Sequence, residues 1–289
     1  MFPDSIAILG PGLLGGSLAL DLAAAGVADL RLWARREEAR AEAEPLGLAP
    51  YFTTDLEAAV AGAGLVVLAT PVGAMPALAA RLAAAGKPPK LVTDMGSVKA
   101  VVERATAPVL RAAGIPFVGA HPMCGSEQKG MAAARRGLFA GAMCILTPDA
   151  AEKPEIVEKV NSFWSGLGCR LARLNPADHD NTVARISHLP HLAAALLAAT
   201  AAGGNPDLLA FAAGGFRDST RVAAGPVDMW TEILLENRAA LAPLVRRLAE
   251  ACASAAIALE SNDASAIRQW LEDGKEARAP LEQTSIVKE

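Results

Sequence analysis

Excess basic charge is missing from this 289-residue sequence: 27 lysines and arginines stand against 31 acidic residues, a net charge of −4. That balance leaves no electrostatic footprint for a nucleic-acid backbone. Aromatic residues make up only 4% of the chain, so platforms for stacking bases are scarce too. The four cysteines (Cys124, Cys144, Cys169 and Cys252) form no C-x-x-C pair and no zinc spacing, and buried thiols in a reducing cytoplasm are the simplest reading. No stretch has the length of a clean membrane span. The apolar N-terminus lacks the basic segment of a signal peptide and contains Asp21 and several early glycines. A soluble, cytoplasmic protein is expected, with neither nucleic acid nor membrane among its partners. Hydrophobic residues are abundant, at 52%, and alanine-rich runs favour helix. The length fits one large domain or two ordinary ones.

Ser5–Leu9 is a compact apolar strand, followed at once by Gly10-Pro-Gly12-Leu13-Leu14-Gly15 and a helical run. Strand, glycine-rich turn and helix together are the context that a dinucleotide fingerprint requires. Gly10 permits the tight turn, Gly12 lets backbone amides approach a pyrophosphate, and Gly15 lets the helix pack on the strand. The helix N-terminus offers its dipole to the phosphates. The next strand, Leu30–Trp33, is followed by Ala34 where an acid would grip a ribose 2′-hydroxyl, then by Arg35 and Arg36. Guanidiniums there attract a 2′-phosphate, favouring NADP over NAD; alternatively they are the solvated start of a helix. Gly64–Ala69 reads as a buried strand closed by Thr70-Pro71, and Lys90–Asp94 as another, leading to Ser97 and a helix from Val98. Ser97 alone could be the cap of that helix. Further strands are read at 115–120, 143–147 and 169–174. Alternating strands and helices imply a doubly wound parallel sheet. From Asn175 onward strand-like runs stop and Ala/Leu-rich helices take over, which places a domain boundary at 174/175.

His121 falls at the end of the strand 115–120, at the carboxyl edge where ligands sit in an open sheet. Imidazole is suited to take a proton near neutral pH, and the Pro and Gly that follow are expected to aim the ring outward from a loop. His188 and His191 are three apart on a helix, with His179 and Asp180 nearby, but no H-E-x-x-H pattern accompanies them and no metal is expected. Arg217, Asp218 and Arg221 lie among glycines and are expected on a loop, where an arginine can grip a carboxylate or merely form a surface salt bridge. Pro190 should kink its helix.

Taken in order, Asp94-x-Gly-Ser97-Val-Lys99, Gly119-Ala-His121-Pro-x-x-Gly125-Ser126-Glu127, Ser187-His188-Leu-Pro-His191 and Gly215-Phe-Arg217-Asp218-Ser-Thr220-Arg221, with Trp230 beyond, resemble the prephenate/arogenate dehydrogenase family of tyrosine biosynthesis. The resemblance spans nearly the whole chain. It implies a Rossmann-type parallel sheet (1–174) followed by an all-helical dimerisation domain (175–289), and a homodimer. The implied reaction oxidatively decarboxylates prephenate to 4-hydroxyphenylpyruvate, or arogenate to tyrosine, with hydride transfer to NAD(P). On the matching positions, His121 would accept the ring hydroxyl proton with Ser97 as its partner there. Arg221 would bind a substrate carboxylate, His191 would sit near the substrate side chain, and Ser126, Glu127, Asp218 and Trp230 would line or gate the pocket. Cofactor contacts fall to Gly10, Gly12, Leu13, Leu14, Gly15, Arg35, Arg36, Thr70 and Pro71. Ala34 departs from the NAD-type acid. The rival readings are a β-hydroxyacid dehydrogenase of the 6-phosphogluconate type, which would use a lysine of the second domain as base, and a catalytically silent NADP-binding regulator.

Overall fold

The computed structural model describes residues 2–125 and 128–285. The predicted Ser126 and Glu127 lie outside the described residues. Eight strands form one sheet: β1 (Ser5–Leu9), β2 (Asp29–Trp33), β3 (Phe52–Thr53), β4 (Leu65–Leu68), β5 (Val92–Asp94), β6 (Phe117–Met123), β7 (Met143–Thr147) and β8 (Arg170–Arg173). Their spatial order is β3-β2-β1-β4-β5-β6-β7-β8. All neighbours are parallel except β6 and β7, so the expected doubly wound parallel sheet is present with one antiparallel pair in it.

Interleaved with the strands are α1 (Leu13–Ala24), α2 (Glu38–Ala43), α3 (Leu56–Val60), α4 (Met75–Ala83), α5 (Ala100–Ala105), α6 (Ala107–Ala112) and α7 (Pro154–Gly166). Side chains alternate across a strand, and β1 shows why both faces need cover. Ile6 and Ile8 join Leu18 and Leu22 of α1 and Phe163 and Trp164 of α7 in one core, while Ala7 and Leu9 join Leu56, Leu78 and Leu110 in the other. A strand apolar on both faces is stable only between two helical layers, which makes the sheet doubly wound.

After β8 the chain is helical: α8 (Pro176–Val183), a π-helical turn (Ala184–His188), α9 (Leu189–Ala202), α10 (Gly214–Thr220), α11 (Val227–Glu236), α12 (Arg238–Glu260) and α13 (Ala264–Ser285). Asn175 caps α8 through Asp178 N–H. Pro190 lies in the first turn of α9, where its missing N–H is cheap, and the π-turn precedes it. The segment 214–220, expected as a loop, is a short helix: its two glycines stand in the first turn and not in the helix interior, where the backbone entropy that glycine loses weighs most. Two compact units result, residues 1–241 and 242–289. The second contains most of α12 and all of α13, joined by a turn in which Asp263 caps α13 through the Ser265 and Ala266 amides. Among the described residues no helix is long and apolar enough to cross a membrane.

Candidate active site

The turn after β1 holds Gly10 at φ +102°, and a Cβ there would stand 2.8 Å from the Ala69 carbonyl oxygen beyond β4. A side chain on Gly15 would collide with the Gly10 carbonyl, whereas one on Gly12 would meet nothing within 4 Å. Gly12 is the N-cap of α1, no side chain caps that end, and Leu13 and Leu14 open the helix. The Thr70 hydroxyl is buried with no hydrogen-bond partner among the described residues, and exposed Pro71 follows it. An open glycine cradle at the start of a twelve-residue helix, beside an unspent hydroxyl, fits a dinucleotide pyrophosphate. Arg35 and Arg36 are exposed just past β2.

β6 outruns its parallel neighbour. Thr93↔Val118 is the last register pair with β5, so 119–123 rests on antiparallel β7 through His121↔Ile145 and Pro122↔Cys144. Two side chains replace the missing strand. The Ala120 N–H donates to Asp94 Oδ1 at 2.9 Å, and Lys99 Nζ donates to the Ala120 carbonyl at 2.8 Å. Lys99 and Asp94 are themselves a fully buried ion pair. His121 therefore sits inside the strand and is 8% exposed; the expected outward-facing loop ring is corrected to a clamped, buried one. Ser97 is half-buried in the turn before α5 and does not cap it; Lys99 holds the N-cap position.

The partners of that histidine come from α8. His121 Nδ1 lies 2.9 Å from His179 Nε2, and His179 Nδ1 lies 2.8 Å from Asp180 Oδ1. Asp180 also accepts from the backbone N–H of Lys99 (2.7 Å) and Ala100 (2.9 Å), capping α5 from across the fold. Asn237 Nδ2 donates to the Asp180 carbonyl at 2.8 Å and lies 3.0 Å from His188 Nδ1. Further along, His191 stacks on Trp230 with centroids 3.5 Å apart and planes at 12°. Gly225 faces that pair: a Cβ would stand 2.6 Å from Trp230 Nε1 and 3.1 Å from His191 Cε1. A cavity of about 590 Å³ opens beside Gly225, between Lys129, Ala132 and Ala133 on one side and Pro226 and Val227 on the other. The loop carrying Ala132 is seated on α1, where Arg135 N–H donates to Ser17 Oγ (3.0 Å) and Gly137 N–H to Asp21 Oδ1 (2.8 Å). Arg217, Asp218 and Arg221 are exposed on α10 and the 3-10 turn after it.

Among the described residues no group of three or more His, Cys, Asp or Glu is arranged to hold a metal ion. His179, Asp180, Lys99 and Asn237 were not among the expected site residues. His179 and Asp180 were weighed only as metal ligands and set aside, and Lys99 stood in the Asp94–Lys99 motif without a role.

Burial pushes the His121 ring well below the ordinary imidazole pKa, aided by His179, Lys99 and His188. Burial also lowers His179, against the opposing pull of Asp180, and lowers His191. His188 is pushed down to about 4, again chiefly by burial. These rings are neutral at pH 7. Once unfolded they protonate near pH ~6.5, so below that the unfolded chain binds more protons and stability falls with acid. His188 alone is expected to contribute a loss of about 3 kcal/mol between pH ~6.5 and its folded value. Urea unfolding at pH 7.5, 5.5 and 4.5 measures the decline, and a flat profile would contradict neutral buried rings.

Residues 18–173 match the family of prephenate dehydrogenase nucleotide-binding domains, and residues 175–273 match that of prephenate dehydrogenase dimerization domains. The chain belongs to the prephenate dehydrogenase family. It is similar to the cyclohexadienyl dehydrogenase of Zymomonas mobilis, with 33% identity over 96% of this chain and 95% of that one. It also resembles the crystal structure of prephenate dehydrogenase from A. aeolicus in complex with hydroxyphenyl propionate and NAD+ (TM-score 0.83, 27% identity, 96% of this chain and 97% of that chain). Synechocystis arogenate dehydrogenase is similar as well (TM-score 0.75, 27% identity, 96% and 99% covered). The dehydrogenase thus acts on prephenate/arogenate-type cyclohexadienyl substrates in tyrosine biosynthesis, with NAD(P) as oxidant and a dimerization domain in its second half.

Proposed function

We propose that the chain oxidises prephenate in preference to arogenate, with His121 as the base and NADP as the favoured cofactor, as a cytoplasmic homodimer. The observation that carries the reading is the geometry at His121. Its ring is kept neutral, and Nδ1 is occupied by His179, so Nε2 is the nitrogen for a substrate hydroxyl. His121 Nε2 takes the ring hydroxyl proton as hydride leaves the same carbon, with half-buried Ser97 as a second hydrogen-bonding group at that oxygen. Bound nicotinamide supplies the hydride acceptor. The bond from ring to carboxylate then breaks, its electron pair makes the ring aromatic, carbon dioxide departs, and the phenolic oxygen recovers a proton from His121. General-base help of this kind is worth roughly 100- to 10,000-fold.

Arg221 is assigned to a substrate carboxylate, since a bidentate guanidinium matches that shape. His191, stacked on Trp230, has a buried Nδ1 with no partner among the described residues; as a donor it suits the keto acid's oxygens. Asp218, Ser126 and Glu127 are assigned to the pocket rim. Gly10, Gly12, Leu13, Leu14, Gly15, Thr70 and Pro71 would hold the cofactor. Ala34, lacking a carboxylate, with Arg35 and Arg36 beside it, supports NADP. The domain boundary is placed at 174/175, just past the last described strand. The exposed Ile257, Leu259 and Leu271 on α12 and α13 support association of two chains through the helical half. The four thiols suit a reducing cytoplasm.

Steady-state turnover with both substrates against both cofactors tests this directly. NADP is expected to exceed NAD by about tenfold or more in kcat/KM, as charge-assisted contacts of about 1.5–3 kcal/mol imply. Ala34→Asp with Arg35→Ala should reverse that order. Equal or better use of NAD by the wild-type enzyme would return the arginines to solvent, and faster turnover of arogenate would overturn the substrate assignment.

A further inference from the structure

We propose that His179 and Asp180 are positioning residues for the reaction: through a chain of two hydrogen bonds they fix which nitrogen of His121 can take a proton. The inference rests on the reading of His121 as the base. It starts from the carboxylate. Asp180 is 6% exposed and receives two backbone N–H bonds at the start of α5, so its oxygens are held as acceptors. An acceptor 2.8 Å from His179 Nδ1 places the ring proton of His179 on Nδ1. His179 Nε2 is then an acceptor. His121 Nδ1, 2.9 Å away, must be the donor, which leaves the lone pair of His121 on Nε2. The rings meet edge-on at 61° with centroids 5.1 Å apart, and His179 is fully buried, so neither can turn without losing the bond.

The same chain takes up charge. When His121 Nε2 gains the substrate's proton, its Nδ1 proton shifts towards His179 Nε2, and the positive charge comes to lie against Asp180. The neighbours around the pair are Lys99, whose cation opposes positive charge on both rings although Asp94 pairs with it, and His188, which is kept neutral; Asp180 pulls the other way on His179. Asp180 lies on α8, and its two backbone contacts lie at the start of α5, so the tautomer of a first-half histidine is set from the second half of the chain.

Two polar replacements of similar size separate the roles. Glutamine at 179 reaches the place of Nε2 and keeps an acceptor for His121, whereas asparagine reaches the place of Nδ1 and keeps only the Asp180 contact. His179→Asn is expected to lower kcat by about 100-fold with KM for prephenate within about threefold, and His179→Gln to recover about tenfold of that loss. Dissociation constants for the cofactor, measured by fluorescence titration, should match wild type in both. Full activity in His179→Asn, equal losses in the two variants, or a loss confined to KM would each overturn the proposal. His121→Asn, measured alongside, separates the two readings. If it stays active, the base assignment itself fails. If it is inactive while His179→Asn is active, only the positioning chain fails.

Discussion

His121→Asn is expected to lower kcat by roughly 100- to 10,000-fold while leaving cofactor affinity unchanged. Asparagine preserves a donor near the position of Nδ1, so the contact to His179 and the path of β6 can survive the change. What it removes is the atom placed to take a proton. His121 lies on β6, past the end of β5, whereas the glycine cradle lies after β1, so the cofactor contacts proposed there are untouched. Rapid-mixing measurement of the hydride step, with fluorescence titration of NADPH, reads the two effects separately. Turnover within a factor of about ten of wild type would remove His121 from the base role.

Lys99→Met is expected to destabilise the fold by about 3–5 kcal/mol, because it strands Asp94 as an unpaired charge in a fully buried site. The Asp94 oxygens still receive the Ala120 and Gly96 amides, but those two dipoles do not replace an ammonium. Lys99→Met combined with Asp94→Asn should recover a large part of the loss, since the second change removes the uncompensated charge. Urea unfolding of the single and double variants measures this. A single variant costing under about 1 kcal/mol, or a double variant worse than the sum, would show that the pair does not act as a unit. Activity should fall in both, because each loosens the clamp on Ala120 next to His121.

Much of the first half was legible because its signals are local. A strand apolar on both faces and glycines at fixed offsets report on neighbours a few positions away. The course of β6 through His121 was not legible. Pro122 reads as a break, yet it is tolerated because β5 has already ended and this stretch lies at an edge with respect to that side. Gly214 and Gly215 likewise read as loop, although glycine at a helix start costs little. The contacts around His121 span 58 positions to His179, and those between Asp180 and Lys99 span 81. No periodicity reports such meetings; only the packing of α8 against α5 creates them. The sequence changes texture near 175, whereas the first compact unit runs on to Leu241, because α8 to α11 are built into the same body as the sheet.

The π-helical turn at Ala184–His188 has a consequence for chain length. In an uninterrupted α-helix, residues nine apart are rotated by roughly 180°, so His179 and His188 would point to opposite sides. A wider turn absorbs about one residue, reducing the offset to roughly 80°. That brings His188 to Asn237, the same side chain that holds the Asp180 carbonyl. The extra residue works as a phase shift in a rotary dial. Exposed Ile186 is open to replacement in kind, but the count of residues between the two histidines is set by the site and not by the helix.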